Sequence, residues 1–246
     1  MIRDQNMLKL NPNLEIQASR ITHEQTCVVI DDFLLNPQEA VDYACEQREE
    51  FIMLERAYPG LVLPVDNSLL DKLNRFIRSE MSRLFPFCRS GIDFHSQFSL
   101  ATLQPEEFTW VQQLCHTDPR LQPGRVNFAG LLYLFNNPEM GGTSFYRWKD
   151  PEFWQEMTAL QRDDPNAGLD VLRKKFRMFR EKPCYMTESN EAAERLDLVP
   201  ARFNRFVFYS GDLPHSANIS SPELLSSEPS GGRLTLNCFV SALPKS

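Results

Sequence analysis

The spacing of apolar residues divides the chain into regions of different character. Residues 1–26 are polar and patternless apart from Leu8, Leu10 and Leu14, and no element is predicted there. Cys27-Val28-Val29-Ile30 is a continuous apolar run and predicts a short buried strand. Asn36-Pro37-Gln38-Glu39 then places a capping side chain before a proline at the first helical position and a glutamate at the third. A helix to about Phe51 is expected to follow, burying Ala40, Val41 and Ala44, with Cys45 next in line. Leu69, Leu70, Leu73, Phe76, Ile77, Met81 and Leu84 recur at three- and four-residue steps and predict a second helix, ended by Pro86. Both helices are expected to buttress one face of a sheet.

From Ile92 the period changes to two. In Ile92 to Leu100 the even positions are mostly apolar and the odd ones polar, as in a strand with one wet or functional face; His95 and Gln97 either line a pocket there or face solvent. Val126 to Phe135 is almost continuously apolar, a strand covered on both sides, and after the Gly141-Gly142 loop the strand pattern resumes at Thr143. Asp150 to Arg195 reverts to helical spacing, with Phe153, Trp154, Met157 and Leu160 in one helix and Leu169, Leu172, Phe176 and Phe179 in another. This reads as a helical insertion between strands. Its basic run (Arg173, Lys174, Lys175, Arg177, Arg180) is either a solvated face or a clamp for an acidic ligand. Strands return at Leu198-Val199-Pro200 and Arg205 to Tyr209. A final one alternates Arg233, Thr235 and Asn237 against Leu234, Leu236, Cys238 and Val240.

Composition narrows the class. At 246 residues with 42% hydrophobic and 24% charged positions, the chain is long enough for a sizeable globular core. A formal charge of −7 and pI near 5.2 provide no basic footprint for nucleic acid, so no nucleic-acid partner is expected. The six cysteines lack C-x-x-C spacing and Met1 to Asn6 shows no apolar leader, which fits reduced thiols and a cytoplasmic location. No run approaches the ~20 apolar residues of a membrane span, so no membrane partner is expected. Oligomeric state is left open.

The chemistry concentrates at Leu114-Cys115-His116-Thr117-Asp118-Pro119. In an extended segment His116 and Asp118 point to the same side and offer an imidazole and a carboxylate to one cavity. His215, in Gly211-Asp212-Leu213-Pro214-His215, supplies a third ligand. Two His and one carboxylate with open positions form the facial triad of non-haem Fe(II) oxygenases.

The order of motifs resembles the prolyl-hydroxylase-like branch of the Fe(II)/2-oxoglutarate-dependent dioxygenases. It comprises His116-x-Asp118, Leu132-Tyr133-Leu134, Gly141-Gly142 followed by Tyr146, an aromatic strand leading into Pro214-His215, and Arg233-x-Thr235. The resemblance covers roughly residues 92 to 241. It implies an α+β, mainly β, fold: a double-stranded β-helix (a cupin-like jelly roll) with N-terminal buttressing helices and a helical insertion. The organisation expected is one oxygenase domain over 1–246. Within it, 1–91 support, 92–149 and 196–241 form the core, and 150–195 insert as a candidate lid. The resemblance further implies His116, Asp118 and His215 as catalytic iron ligands, Arg233 as anchor of the distal carboxylate of 2-oxoglutarate, and Thr235 and Tyr133 as hydroxyl donors to it. Fe(II), 2-oxoglutarate and O2 would be the cofactor and cosubstrates, with succinate and CO2 released as a C–H bond is hydroxylated. Eighteen positions separate His215 from Arg233, a long interval, so Arg205 is the alternative anchor.

The substrate expected is an amino acid, a peptidyl side chain or a small metabolite, with His95, Tyr146, Arg147 and Trp148 as candidate contacts. The competing class is a cupin-like metal protein that binds without turnover or holds Zn2+ for hydrolysis. Arg233 with Thr235 discriminates, because a hydrolase has no use for a five-carbon diacid.

Overall fold

The computed structural model describes residues 8–54, 58–119, 122–161 and 168–245. Met1 to Asn6 and residues 162–167 of the insertion lie outside that set. Eleven strands follow in chain order among the described residues: β1 Gln17–Arg20, β2 Thr26–Ile30, β3 Ile52–Met53, β4 Gly60–Pro64, β5 Asp93–Ala101, β6 Val126–Tyr133, β7 Thr143–Trp148, β8 Ala193–Val199, β9 Phe206–Ser210, β10 His215–Ala217 and β11 Arg233–Ala242. Eight form one antiparallel sheet in the order β1-β2-β9-β6-β11-β5-β4-β3, and three form a second in the order β10-β7-β8.

Alternation along the strands decides what each face buries. On β11, Leu234, Leu236, Cys238 and Val240 join Phe98, Leu100, Phe128, Leu132, Phe206 and Phe208 in a core on the outer face of the large sheet. That face is covered by α1 (Pro37–Glu46), which contributes Ala40, Val41 and Ala44. It is also covered by a segment running through α2 (Asp71–Phe76), a π turn (Ile77–Met81) and α3 (Ser82–Leu84). Truncating a ring such as the fully buried Phe206 to alanine would cost about 3–5 kcal/mol. The opposite face presents Ala129, Tyr133, Val207 and Tyr209, which pack on Phe145 and Val199 of the small sheet. The molecule is thus mostly antiparallel β, with two sheets sharing an inner core and helices behind the larger one.

Several expectations shift. Three short strands, β1, β3 and β4, occupy segments whose sequence shows no period. Asn36 does not cap α1; its amide instead donates to Glu39 Oε1 at 3.1 Å. α1 ends at Glu46 and gives way to a 3-10 turn, Arg48–Glu50. In the second helical segment the π turn adds a residue to the repeat, which rotates the following turn and leaves Leu84 exposed rather than buried. The insertion holds α4 (Pro151–Gln161), α5 (Leu169–Lys175) and a 3-10 turn (Arg177–Arg180), and its far end belongs to β8. Trp154, Met157, Leu172, Phe176 and Phe179 form its own core together with Trp110 and Leu114. Its basic residues are partly neutralised, Lys175 by Asp150 at 2.7 Å and Arg177 by Glu181 at 3.0 Å. No helix among the described residues is long and apolar enough to cross a membrane.

Candidate metal centre

A 3-10 turn, Trp110–Gln113, delivers the chain to Cys115 and His116 beside the small sheet. His116 belongs to no full strand. It makes a single antiparallel bridge to His215 at the start of β10, each backbone N–H donating to the other's carbonyl at 2.9 Å. Two residues on, Asp118 N–H donates to Gly211 O at 2.8 Å, and Gly211 N–H donates to Asn127 O at 2.9 Å. Gly211 is needed here: a Cβ would lie 2.8 Å from Asp118 Oδ2. The segment before His215 therefore cradles the carboxylate with bare backbone.

The three side chains converge. One ligand atom from each of His116, Asp118 and His215 lies within 4.8 Å of the others, a group that could hold a metal ion. His215 Nδ1 bonds Leu213 O at 2.9 Å; a carbonyl can only accept, so Nδ1 carries the proton and the neutral ring leaves Nε2 bare. That Nε2 is 3.9 Å from Asp118 Oδ1. Tyr209 packs edge-on to the His215 ring with centroids 4.8 Å apart, and the two imidazoles are 4.5 Å apart. Asp118 Oδ2 is buried with no hydrogen-bond partner among the described residues.

Electrostatics matches this geometry. Burial pushes His215 down to about 4 against the lift from its bond to Leu213 O. Desolvation of the ring and then the neighbouring His215 push His116 down to about 4, although the residue as a whole keeps solvent access. Asp118 is raised to about 6 by burial, with His116 opposing. Two neutral imidazoles and a carboxylate with a dry, unpaired oxygen suit a divalent cation.

The other predicted residues separate into groups. Arg233, 2% exposed, donates from Nε to Met140 O at 2.9 Å and from Nη2 to Gly142 O at 2.9 Å, and it lies 5.4 Å from the centroid of the Phe135 ring. No carboxylate among the described residues pairs with it. Arg205, by contrast, is committed: Nε and Nη2 grip Asp31 at 2.6 and 3.0 Å. Tyr133 Oη is bonded to Thr143 Oγ1 at 2.7 Å, and Thr235 Oγ1 donates to Ser99 O at 3.4 Å. Tyr146 is buried and donates to Met186 O at 2.8 Å, while Arg147 is exposed and paired with Glu194 at 2.6 Å. Trp148 stacks on Trp154 of the insertion at 4.6 Å, and exposed His95 stacks on Phe239 at 6.2 Å. Of these four, Tyr146 lies nearest the His116 cluster: it packs with Cys115, and its backbone N–H donates to Pro214 O at 2.7 Å. Two polar atoms that the sequence did not single out, Tyr58 Oη and Asn237 Oδ1, are buried without a hydrogen-bond partner among the described residues. Asn237 was legible as the third polar position of β11. Tyr58 lies in a stretch without period and carried no signal.

The model of a family of unknown function, DUF6445, matches residues 12–240. The chain belongs to this family. No curated protein matches this DUF6445 member. Among solved structures, it is similar to HygX from Streptomyces hygroscopicus with nickel and 2-oxoglutarate bound. The identity is 12%, the coverage 89% of this chain and 83% of that chain, and the TM-score 0.46. It is also similar to EvdO2 from Micromonospora carbonacea var. aurantiaca, at 10% identity, 94% and 95% coverage and a TM-score of 0.45.

Proposed function

We propose that this DUF6445 member is an Fe(II)- and 2-oxoglutarate-dependent oxygenase. It would hydroxylate a C–H bond of an amino-acid, peptidyl or small-metabolite substrate on a core arranged as a double-stranded β-helix. The observation that carries the reading is the convergence of His116, Asp118 and His215 on a point where Asp118 Oδ2 has no protein partner. Arg233 supports the cosubstrate. A buried guanidinium bonded only to carbonyls keeps its net charge, and a planar two-pronged cation suits a planar carboxylate. Arg233 stands over Phe135, which shares the inner core with Tyr209, the residue against His215, so one core joins the proposed anchor to the triad.

In this reading His116, Asp118 and His215 hold the metal, and the Leu213 carbonyl fixes the tautomer that leaves His215 Nε2 as donor. Iron with 2-oxoglutarate and O2 supplies oxidative decarboxylation to succinate and CO2 coupled to hydroxylation. The protein holds the diacid through Arg233 and excludes water with Tyr209 and the inner core. A cleft of about 510 Å³ lined by Phe108, Trp110, Phe179 and Arg173, between the insertion and the turn that leads to His116, is the side from which substrate would approach.

The test is an anaerobic titration of the apoprotein with Fe(II) and then 2-oxoglutarate, following the visible charge-transfer absorbance of the chelated keto acid. A band that saturates at one equivalent, and vanishes on admitting O2 as succinate forms, supports the reading. It should be absent in Asp118→Ala. Iron binding with no band would move the protein to the non-catalytic or hydrolytic metal class.

A further inference from the structure

The two hydroxyls expected to help Arg233 are each already hydrogen-bonded within the protein: Tyr133 Oη with Thr143 Oγ1, where either atom can be the donor, and Thr235 Oγ1 to the Ser99 carbonyl. One hydroxyl in the neighbourhood is not. Tyr58 Oη is buried and has no hydrogen-bond partner among the described residues. A buried polar group left unpaired costs about 1–3 kcal/mol, a cost that calls for a specific explanation.

The backbone that follows Tyr58 is pinned. Tyr58 lies two residues before β4, whose Gly60 pairs with Ala101 of β5, and Ala101 pairs on its other edge with Arg233 of β11. Gly60, Ala101 and Arg233 thus form one line across the sheet, with Tyr58 just past its end. Any side chain at Gly60 would collide with the Leu100 carbonyl, at 2.1 Å from a Cβ. This close approach lets Pro59 O accept from Thr102 N–H at 3.1 Å and Leu103 N–H at 3.3 Å. The Tyr58 carbonyl also accepts from Gln112 Nε2 at 3.4 Å, in the turn leading to His116. The ring sits close enough to Arg233 for that charge to favour the phenolate, although burial dominates and pushes the phenol up to about 12; the Ser99 and Thr235 hydroxyls also lie near enough to stabilise the phenolate, at contacts that fall short of hydrogen-bond geometry. At neutral pH Tyr58 therefore keeps its proton and can donate it.

We propose that Tyr58, from the β3–β4 segment outside the motif-bearing core, donates the hydroxyl hydrogen bond to the carboxylate held by Arg233. This rests on the reading of Arg233 as the anchor of a diacid. It assigns the second contact to Tyr58 instead of Tyr133, and it makes the N-terminal segment part of the cosubstrate site.

The experiment is equilibrium binding by calorimetry under anaerobic conditions to the Fe(II)-loaded full chain, wild type and Tyr58→Phe. Two probes are used: 2-oxoglutarate, and 2-oxobutyrate, which shares the keto-acid end and lacks the distal carboxylate. Loss of one hydrogen bond to a charged group should weaken 2-oxoglutarate about tenfold and leave 2-oxobutyrate unchanged. A merely structural role for Tyr58 would weaken both alike or neither, and either result overturns the assignment. If wild type itself binds 2-oxobutyrate as tightly as 2-oxoglutarate, or binds neither, Arg233 anchors no diacid and the underlying reading fails first. Metal affinity and thermal midpoint, measured alongside, confirm that Tyr58→Phe folds.

Discussion

Replacing Arg233 with methionine should separate ligand recognition from stability. The guanidinium is 2% exposed and no carboxylate among the described residues faces it. Desolvating such an ion costs several kcal/mol. Against that stand two charge-assisted bonds to the Met140 and Gly142 carbonyls, worth about 1.5–3 kcal/mol each, and a contact over Phe135 worth about 1–2 kcal/mol. These nearly cancel, so Arg233→Met should unfold within about 2 kcal/mol of wild type, a shift of no more than roughly 8 °C for a chain of this size. The ligand response should differ sharply. At a hundred times its dissociation constant a ligand stabilises the native state by about 2.7 kcal/mol, or roughly 5–11 °C here. Calorimetric scans of the metal-loaded proteins with 2-oxoglutarate should show that rise in wild type and none in Arg233→Met. A ligand-free loss well beyond 8 °C would mark Arg233 as a structural brace. An equal ligand response in both proteins would mean that the diacid is held elsewhere.

Three further outcomes follow from the geometry. The Asp31 carboxyl is held below its usual range, chiefly by its hydrogen bonds to Arg205, so its contribution is complete above about pH 4 and fades as pH falls through the lowered value; Asp31→Asn should remove that part of the acid sensitivity, seen as a smaller loss of urea midpoint between pH 7 and pH 3. Gly141 has φ +79° and ψ 159°, and a Cβ there would sit 1.6 Å from Asn218 O, so Gly141→Ala should destabilise by more than about 3 kcal/mol in urea unfolding; a loss under 1 kcal/mol would show that this loop yields easily. Asn204, at φ +63°, accepts from Leu34 N–H at 2.8 Å and donates to Leu34 O at 2.9 Å, so Asn204→Ala orphans both groups and should cost about 2–6 kcal/mol by the same assay, whereas a neutral result would mean that water replaces the amide.

What could be read beforehand depended on how strongly local pattern constrains structure. β5, β6 and β11 were legible because each buries one face or both, and burial imposes a period on the side chains. β1 was not, since its four residues are all exposed and nothing forces apolar spacing on them. β3 is a two-residue edge strand and β4 a five-residue strand between it and β5, both held by pairing and too short to show a period. The candidate metal ligands could be found because imidazole and carboxylate are scarce, directional donors, even though His116 proved to sit on a lone bridge and not on a strand. His95 and Arg147 could not be placed from spacing alone, since a polar position on a strand faces solvent as readily as a cavity. Tyr58 was invisible for a different reason: its setting is made by Ser99, Thr235 and Arg233, all distant in sequence.

The reciprocal backbone bridge between His116 and His215 bears on how the centre tolerates an empty state. The two histidines are 99 positions apart, and closing a loop of that length is an entropic cost the fold meets without help, through sheet pairing. Because that bridge is made by backbone groups alone, the donor atoms should stay assembled without an ion, unlike in small domains whose chain collapses only around its metal. Chelation should strip this protein of its ion and leave its circular dichroism intact, and reloading should need no refolding. On the proposed function, such a centre would lose and regain its ion over the lifetime of one polypeptide, with occupancy following the supply of metal around it.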